Sequence, residues 1–219
     1  ERHLAKVLLE KIFLLSGEDE ERLSLLKRIF GGKEIQAEVH DHAGLESEIR
    51  NNLLKAGGPA FVPENPDTFL PVRTIREIIL QGGGIPTYPL LADDTRGTFT
   101  EFEKDKRQLA NELKQRGIYS VEFISVRNST EVLETYASWF HEQGFIVTFG
   151  SEHNTPKLTP IRLYTRDGTH LSKNLRKINY LGACVIAAHQ YLVAREGTGY
   201  VSTAGYPENT RLEEFQSLG

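Results

Sequence analysis

Residues 71–150 predict an α/β fold in which parallel strands alternate with helices, and three observations lead there. Apolar residues recur at helical spacing in 71–81, 99–116 and 128–143. Short apolar or alternating runs at 85–90, 118–126 and 145–149 each follow glycine and read as strands. The connections between them are short, which favours right-handed crossovers and a parallel sheet.

Ahead of this alternation, Leu4, Val7, Leu8, Ile12 and Leu15 predict an amphipathic helix over 2–15. Leu23, Leu25, Leu26, Ile29 and Phe30 predict a second helix, ended by Gly31-Gly32. A third is expected over 45–55, ended by Gly57-Gly58-Pro59. Residues 1–57 therefore read as a helical segment, an insertion or lid, and 58–219 as the α/β part. In 71–81, Val72, Ile75, Ile78 and Ile79 share one face, with Pro71 tolerated in the first turn. The glycines at 82–84 end that helix. They precede a strand and lack the spacing of a phosphate-binding loop. Pro86 and Pro89 confine strand 85–90 to irregular pairing near its end.

Helix 99–116 is expected to turn Phe102, Leu109 and Leu113 inward and its many charges outward, with Gly117 as cap. In strand 118–126, Glu122 lies on the face opposite Val121 and Phe123, where a carboxylate needs a partner. Asn128 or Ser129 caps the next helix, whose buried face is Val132, Leu133, Tyr136, Trp139 and Phe140. Arg166-Asp167-Gly168 is a turn. A helix over 171–195 carries a stripe of Leu175, Ile178, Leu181, Ile186, Ala187 and Leu192, and its Gly182 and Ala183 permit close packing. His189, mid-helix, reads as a hydrogen-bonded histidine, with metal ligation as the alternative. Residues 197–219 read as a loop and a short terminal helix.

Composition is that of an ordinary globular chain, 39% hydrophobic and 26% charged. A net charge of −4 argues against a nucleic-acid backbone or an anionic membrane as main partner. The single cysteine, Cys184, excludes an internal disulfide framework and suits a reducing, cytoplasmic setting. Its apolar surroundings read as core. No apolar run reaches the roughly 18 residues of a membrane span, and no signal peptide is recognisable. The chain opens at Glu1 inside a helical pattern, which reads as a fragment whose beginning is missing.

The polar residues after each strand are expected to gather on one rim: Tyr88, Asp93 and Asp94, then Ser125, Arg127 and Asn128, then residues 151–154. The last group is Ser151-Glu152-His153-Asn154, directly after a buried strand. Carboxylate, imidazole and amide side by side suit a metal or proton transfer. They also suit a polar strand-to-loop junction. His40 and His42 are spaced so that on a strand both would face one side and ligate a metal; in a polar loop they would not.

Three stretches resemble the polymerase and histidinol phosphatase (PHP) family: Gly-Pro-Ala-Phe-Val-Pro at 58–63, Gly-Gly-Gly-Ile-Pro-Thr-Tyr-Pro at 82–89, and Phe-Gly-Ser-Glu-His at 149–153. The resemblance covers under half of the chain. It implies a distorted (β/α)7 barrel, here its C-terminal portion, with a divalent metal site (Zn, Mn or Fe) at the strand ends that hydrolyses phosphate esters. The family's first His-x-His motif has no counterpart at this N-terminus. Tyr88 stands where a metal-binding histidine is expected, Glu152 replaces an aspartate, and His153 comes one residue early, with Asn154 in the histidine position.

The resemblance thus implies a metal-dependent phosphoesterase acting on a small phosphorylated metabolite. Glu152, His153, Tyr88 and Arg127 would form its catalytic set, and Glu152, His153, Asn154, His40 and His42 its candidate metal ligands. Asp93 and Glu122 are further rim residues. The alternative is a degenerate, non-catalytic PHP-like binding domain. A metal-dependent hydrolase of another barrel family is a third reading. A partial barrel leaves strand edges open, so a missing N-terminal half or a partner chain is expected to cover them.

Overall fold

The computed structural model describes residues 1–151 and 162–219. It divides into two compact units, and among the described residues the first spans Glu1–Phe69 and the second 70–151 and 162–219.

The first unit is helical: α1 (Arg2–Leu15), α2 (Asp19–Ile29) and α3 (His42–Ile49), with a wider π-type turn over Arg50–Leu54 continuing α3. Its core is Ala5, Leu9 and Ile12 of α1 against Leu26, Phe30, Leu45, Ile49 and Leu53. The buried stripe of α1 is therefore rotated from the expected one, and Leu4, Val7 and Leu15 are exposed. Apolar residues cover more than half of this helix, and only one arc can meet α2 and α3. Asp41 caps α3 by accepting the Gly44 N–H at 2.9 Å. Glu48 Oε1 accepts the N–H groups of Gln36 and Ala37 at 2.8 and 2.6 Å, tying down the loop before it.

The second unit runs α4 (Val72–Gln81), β1 (Thr87–Leu90), α5 (Lys106–Gln115), β2 (Ser120–Ile124), α6 (Thr130–Glu142), β3 (Ile146–Gly150), α7 (Lys173–Glu196) and α8 (Leu212–Leu218). The three strands are parallel in the order β1-β2-β3, with Leu90 beside Phe123 and Ile124 beside Gly150. The expected (β/α)7 barrel is not formed: among the described residues the sheet has three strands and is open, with β1 and β3 as edges. Closing a barrel takes several more tilted strands. Among the described residues only three runs pair into a sheet, and most of the remaining apolar periodicity is helical. Pro89 sits in edge strand β1, where its missing N–H is tolerated.

Helices α5 and α6 cover one face of the sheet, where Leu109, Leu113, Leu133, Tyr136 and Phe140 pack with Val121, Phe123, Val147 and Phe149. On the other face, Ile146 packs with Val185 and Ala188 of α7, Phe215 of α8, and Leu80 of α4. Helix α5 starts later than its apolar spacing suggests, because Asp105 accepts the N–H groups of Arg107 and Gln108 at 2.9 and 3.1 Å and caps it. Residues 99–104 are thereby left as a folded turn. Among the described residues no helix is long and apolar enough to cross a membrane.

Helix α7 lies very close to β3. A methyl group placed on Gly182 would sit 2.2 Å from the Val147 carbonyl oxygen. His189 of the same helix is buried and hydrogen-bonded at both ring nitrogens: Nε2 donates to Gly83 O at 3.0 Å, and Nδ1 accepts from Val201 N at 3.3 Å. Burial holds its pKa below the ordinary value, with the Gly83 carbonyl opposing in part.

Two predictions arise here. Gly182→Ala is expected to lower unfolding stability by about 1–3 kcal/mol in urea titrations, because the clash is with backbone. This holds although alanine is the better helix former by about 1 kcal/mol. For His189, the folded pKa lies below the unfolded one, so the unfolded chain takes the proton first as pH falls. Its contribution is full above about pH 6.5 and is lost as pH drops through the lowered folded value. The urea midpoint should therefore fall on acidification below about pH 6.5, and His189→Gln should flatten that fall. His141, also held low by burial and then by Lys177, accounts for part of the remaining slope.

Candidate functional site

The C-terminal ends of β1 and β2 meet in one polar cluster. After β1 the chain turns sharply, and Ala92 and Asp94 take left-handed backbone angles, φ 50° and 40°. Such angles cost non-glycine residues on the order of 1 kcal/mol and persist only where neighbours enforce them. Here the neighbours are visible. Asn128, which follows the short turn after β2, donates through Nδ2 to Leu91 O at 2.5 Å and to Asp93 Oδ1 at 3.0 Å. Asp93 is 3% exposed. Its Oδ2 accepts the Ser129 N–H at 3.3 Å and Arg166 Nη2 at 2.8 Å.

Arg166 reaches in from the 165–168 turn and also donates through Nη1 to the Arg127 carbonyl at 3.1 Å and to the Asp94 carbonyl. Its own N–H donates to Asn128 O at 2.7 Å. Arg127 Nη1 pairs with Asp94 Oδ1 at 3.0 Å. Asp167 Oδ2 accepts the N–H of Thr130 at the start of α6, and that bond is the main cause of its lowered pKa.

A second group adjoins the first through Leu91. The Leu91 N–H donates to Glu103 Oε1 at 3.3 Å, and Tyr88 Oη donates to the same oxygen at 2.8 Å. Glu103 is 2% exposed. Burial raises the pKa of Tyr88 strongly, and the Glu103 hydrogen bond and charge add to the shift, so the phenol keeps its proton. Burial likewise raises Tyr136, whose Oη donates to the Glu103 and Lys104 carbonyls at 3.2 and 2.9 Å. Three buried oxygens at this rim, Glu103 Oε2, Ser125 Oγ and Asn128 Oδ1, have no hydrogen-bond partner among the described residues. Glu122 lies over the end of β3: a methyl group on Gly150 would meet its Oε1 at 2.3 Å.

The structure thus brings Tyr88, Asp93, Asp94, Arg127 and Asn128 to one end of the sheet. Glu152, His153 and Asn154 lie outside the described residues. His40 and His42 belong to the first unit and share no strand face. His40 is in a turn with Nε2 3.1 Å from Asp19 Oδ2. His42 opens α3, its ring 4.8 Å from that of Phe13. Among the described residues no group of three or more His, Cys, Asp or Glu is placed to hold a metal ion.

Glu103 and Arg166 carry much of the cluster and are hidden in the sequence. Glu103 falls within a charged helical pattern, and Arg166 in an ordinary Arg-Asp-Gly turn. Asp105 is the signal that would have freed Glu103 from the helix, since an aspartate before a helical run is a strong N-cap.

No family model, curated protein or solved structure matches the chain.

Breaking a buried, hydrogen-bonded charge pair from one side leaves the other charge unpaired. Asp93→Ala is accordingly expected to cost about 3–5 kcal/mol in urea unfolding. Asp93→Asn should cost less, because the amide oxygen still accepts.

Proposed function

We propose that the chain acts on a small phosphorylated molecule at the C-terminal rim of its sheet, as a PHP-like phosphoesterase. The observation that supports this reading best is the set of buried oxygens on Glu103, Ser125 and Asn128 that have no partner among the described residues. They lie at the strand ends where open parallel sheets bind ligands, and Ile124 beside Gly150 brings the end of β2 against the end of β3. Glu152, His153 and Asn154 come after Gly150 and Ser151 in the sequence.

Carboxylate, hydroxyl and amide oxygens suit a hard divalent ion, so the donor chemistry fits the metal that the resemblance implies. The described residues do not complete such a site, and its ligation would rest on Glu152 and His153. A divalent metal held there would polarise the phosphoryl group and supply hydroxide at neutral pH. The chain's own groups do the rest. Arg127, steadied by Asp94, offers a planar guanidinium suited to phosphate. Tyr88 keeps its proton and directs it to Glu103, fixing that carboxylate beside Leu91. The choice of a phosphorylated metabolite rests on the resemblance alone.

A second reading, a non-catalytic binding domain, has its own support. The Tyr88 proton is already engaged by Glu103, and Tyr and Asn occupy two positions where the family carries metal-binding histidines.

Elemental analysis of the purified protein for Zn, Mn and Fe, with Glu152→Gln and His153→Ala alongside, separates the two readings. Stoichiometric metal lost in both variants, together with hydrolysis of an aryl phosphate lost in parallel, is the expected outcome. A folded wild-type protein without metal or hydrolysis would leave the binding domain.

A further inference from the structure

A second polar site lies at the other end of the sheet. A cavity of about 430 Å³ opens between the start of α4, the end of α5 and the loop at Tyr206. Its wall includes Gly117, three residues before β2 begins, whereas the rim described above begins where β2 ends. Four cations line it: Arg73, Arg76, Lys114 and Arg116, with Val72 and Tyr206 as its apolar and aromatic edges.

Arg76 is the fixed member. Its Nε donates to Gly117 O at 3.2 Å and its Nη2 to Ala204 O at 2.6 Å. Gly117 and Gly205 press against it, both with left-handed backbones, φ 70° and 85°. A methyl group on Gly117 would lie 2.6 Å from Arg76 Nε, and one on Gly205 would lie 1.9 Å from Nη2. The guanidinium is thus held by backbone alone, and no carboxylate pairs with it among the described residues. Lys114 is similar: its Nζ donates to Gln143 O at 3.1 Å and sits 5.4 Å from the centre of the Phe145 ring. Among the described residues Arg73 and Arg116 form ion pairs only with Glu77 and Glu112, each one turn away, at 2.9 and 3.1 Å. Exposed pairs of that kind are weak and give way readily to a stronger anion. In a chain of net charge −4, four cations around one cavity with two such carboxylates beside them are a local excess of positive charge.

We propose that this cavity binds a small, multiply charged anion of the phosphate class, a diphosphate or a phosphomonoester. Arg76 is the preset contact, because a guanidinium presents forked donors that match phosphate oxygens. Arg73, Lys114 and Arg116 close around the charge, and Val72 and Tyr206 flank any organic portion. The volume suits a small ligand. The site is independent of the phosphoesterase reading, since it uses none of the rim residues.

The test is calorimetric titration of the full chain with sodium pyrophosphate and with inorganic phosphate, in low salt and with EDTA present. The chelator removes any contribution from metal at the rim. One site is expected, with pyrophosphate tighter than phosphate and both weakened by added salt. Arg76→Gln should weaken pyrophosphate by about tenfold or more. Because Arg76 also joins α4 to two loops, the double variant Arg73→Gln/Arg116→Gln is the safer probe. It should weaken binding several-fold with an unchanged unfolding midpoint. No binding at millimolar pyrophosphate, or binding that the folded double variant leaves unchanged, would overturn the proposal. So would a preference for single-stranded oligonucleotide over pyrophosphate that the same variant abolishes, since that assigns the patch to nucleic acid.

Discussion

The Asp93 carboxylate is the constraint on which the rim of the sheet depends. It is almost fully buried and accepts from Asn128, Ser129 and Arg166, donors that arrive from the end of β2, the start of α6 and the 165–168 turn. A buried ion pair is weak evidence of net stability, because desolvation offsets much of the attraction. Its specificity is the stronger consequence. The three donors tie three remote segments to the turn after β1, in which Ala92 and Asp94 are left-handed.

The same economy of space governs the two faces of the sheet. Alternating residues of β3 send Val147 and Phe149 to the α5–α6 side, while Ile146 faces α7. Helix α7 approaches closely enough that Gly182 leaves no room for a side chain against Val147 O. This contact, with His189 anchored between Gly83 and Val201, fixes α7 along the sheet and ties the segments around 83 and 201 to it. The two polar sites then fall at opposite ends of β2. One is rich in buried oxygens and the other in cations that, among the described residues, have no carboxylate partner from another element.

Much of the rim was legible in order along the chain. Polar residues shortly after a strand emerge where the strand ends, and Asp93, Arg127 and Asn128 do so. What each side chain bonds to was not legible. Tyr88 meets Glu103 because residues 99–104 fold back as a turn instead of extending α5, and that depends on the cap at Asp105. The barrel expected from local motifs fails for a related reason. Motifs describe strand ends, while barrel closure is a property of strand number and tilt.

By itself the sequence determined the helix-strand alternation from 71 to 150, a cap at Asn128 or Ser129, the glycine at 182 as a point of close packing, and the placement of polar groups after the first two strands. These follow from periodicity and backbone chemistry within a few residues. Only the tertiary structure decided which arc of α1 is buried, that the sheet stays open, that Arg166 answers Asp93, and that Arg76 is gripped by two glycines far apart in sequence. Each of those depends on pairs separated by tens of residues. Local patterning constrains which face a residue presents, not which distant group will meet it.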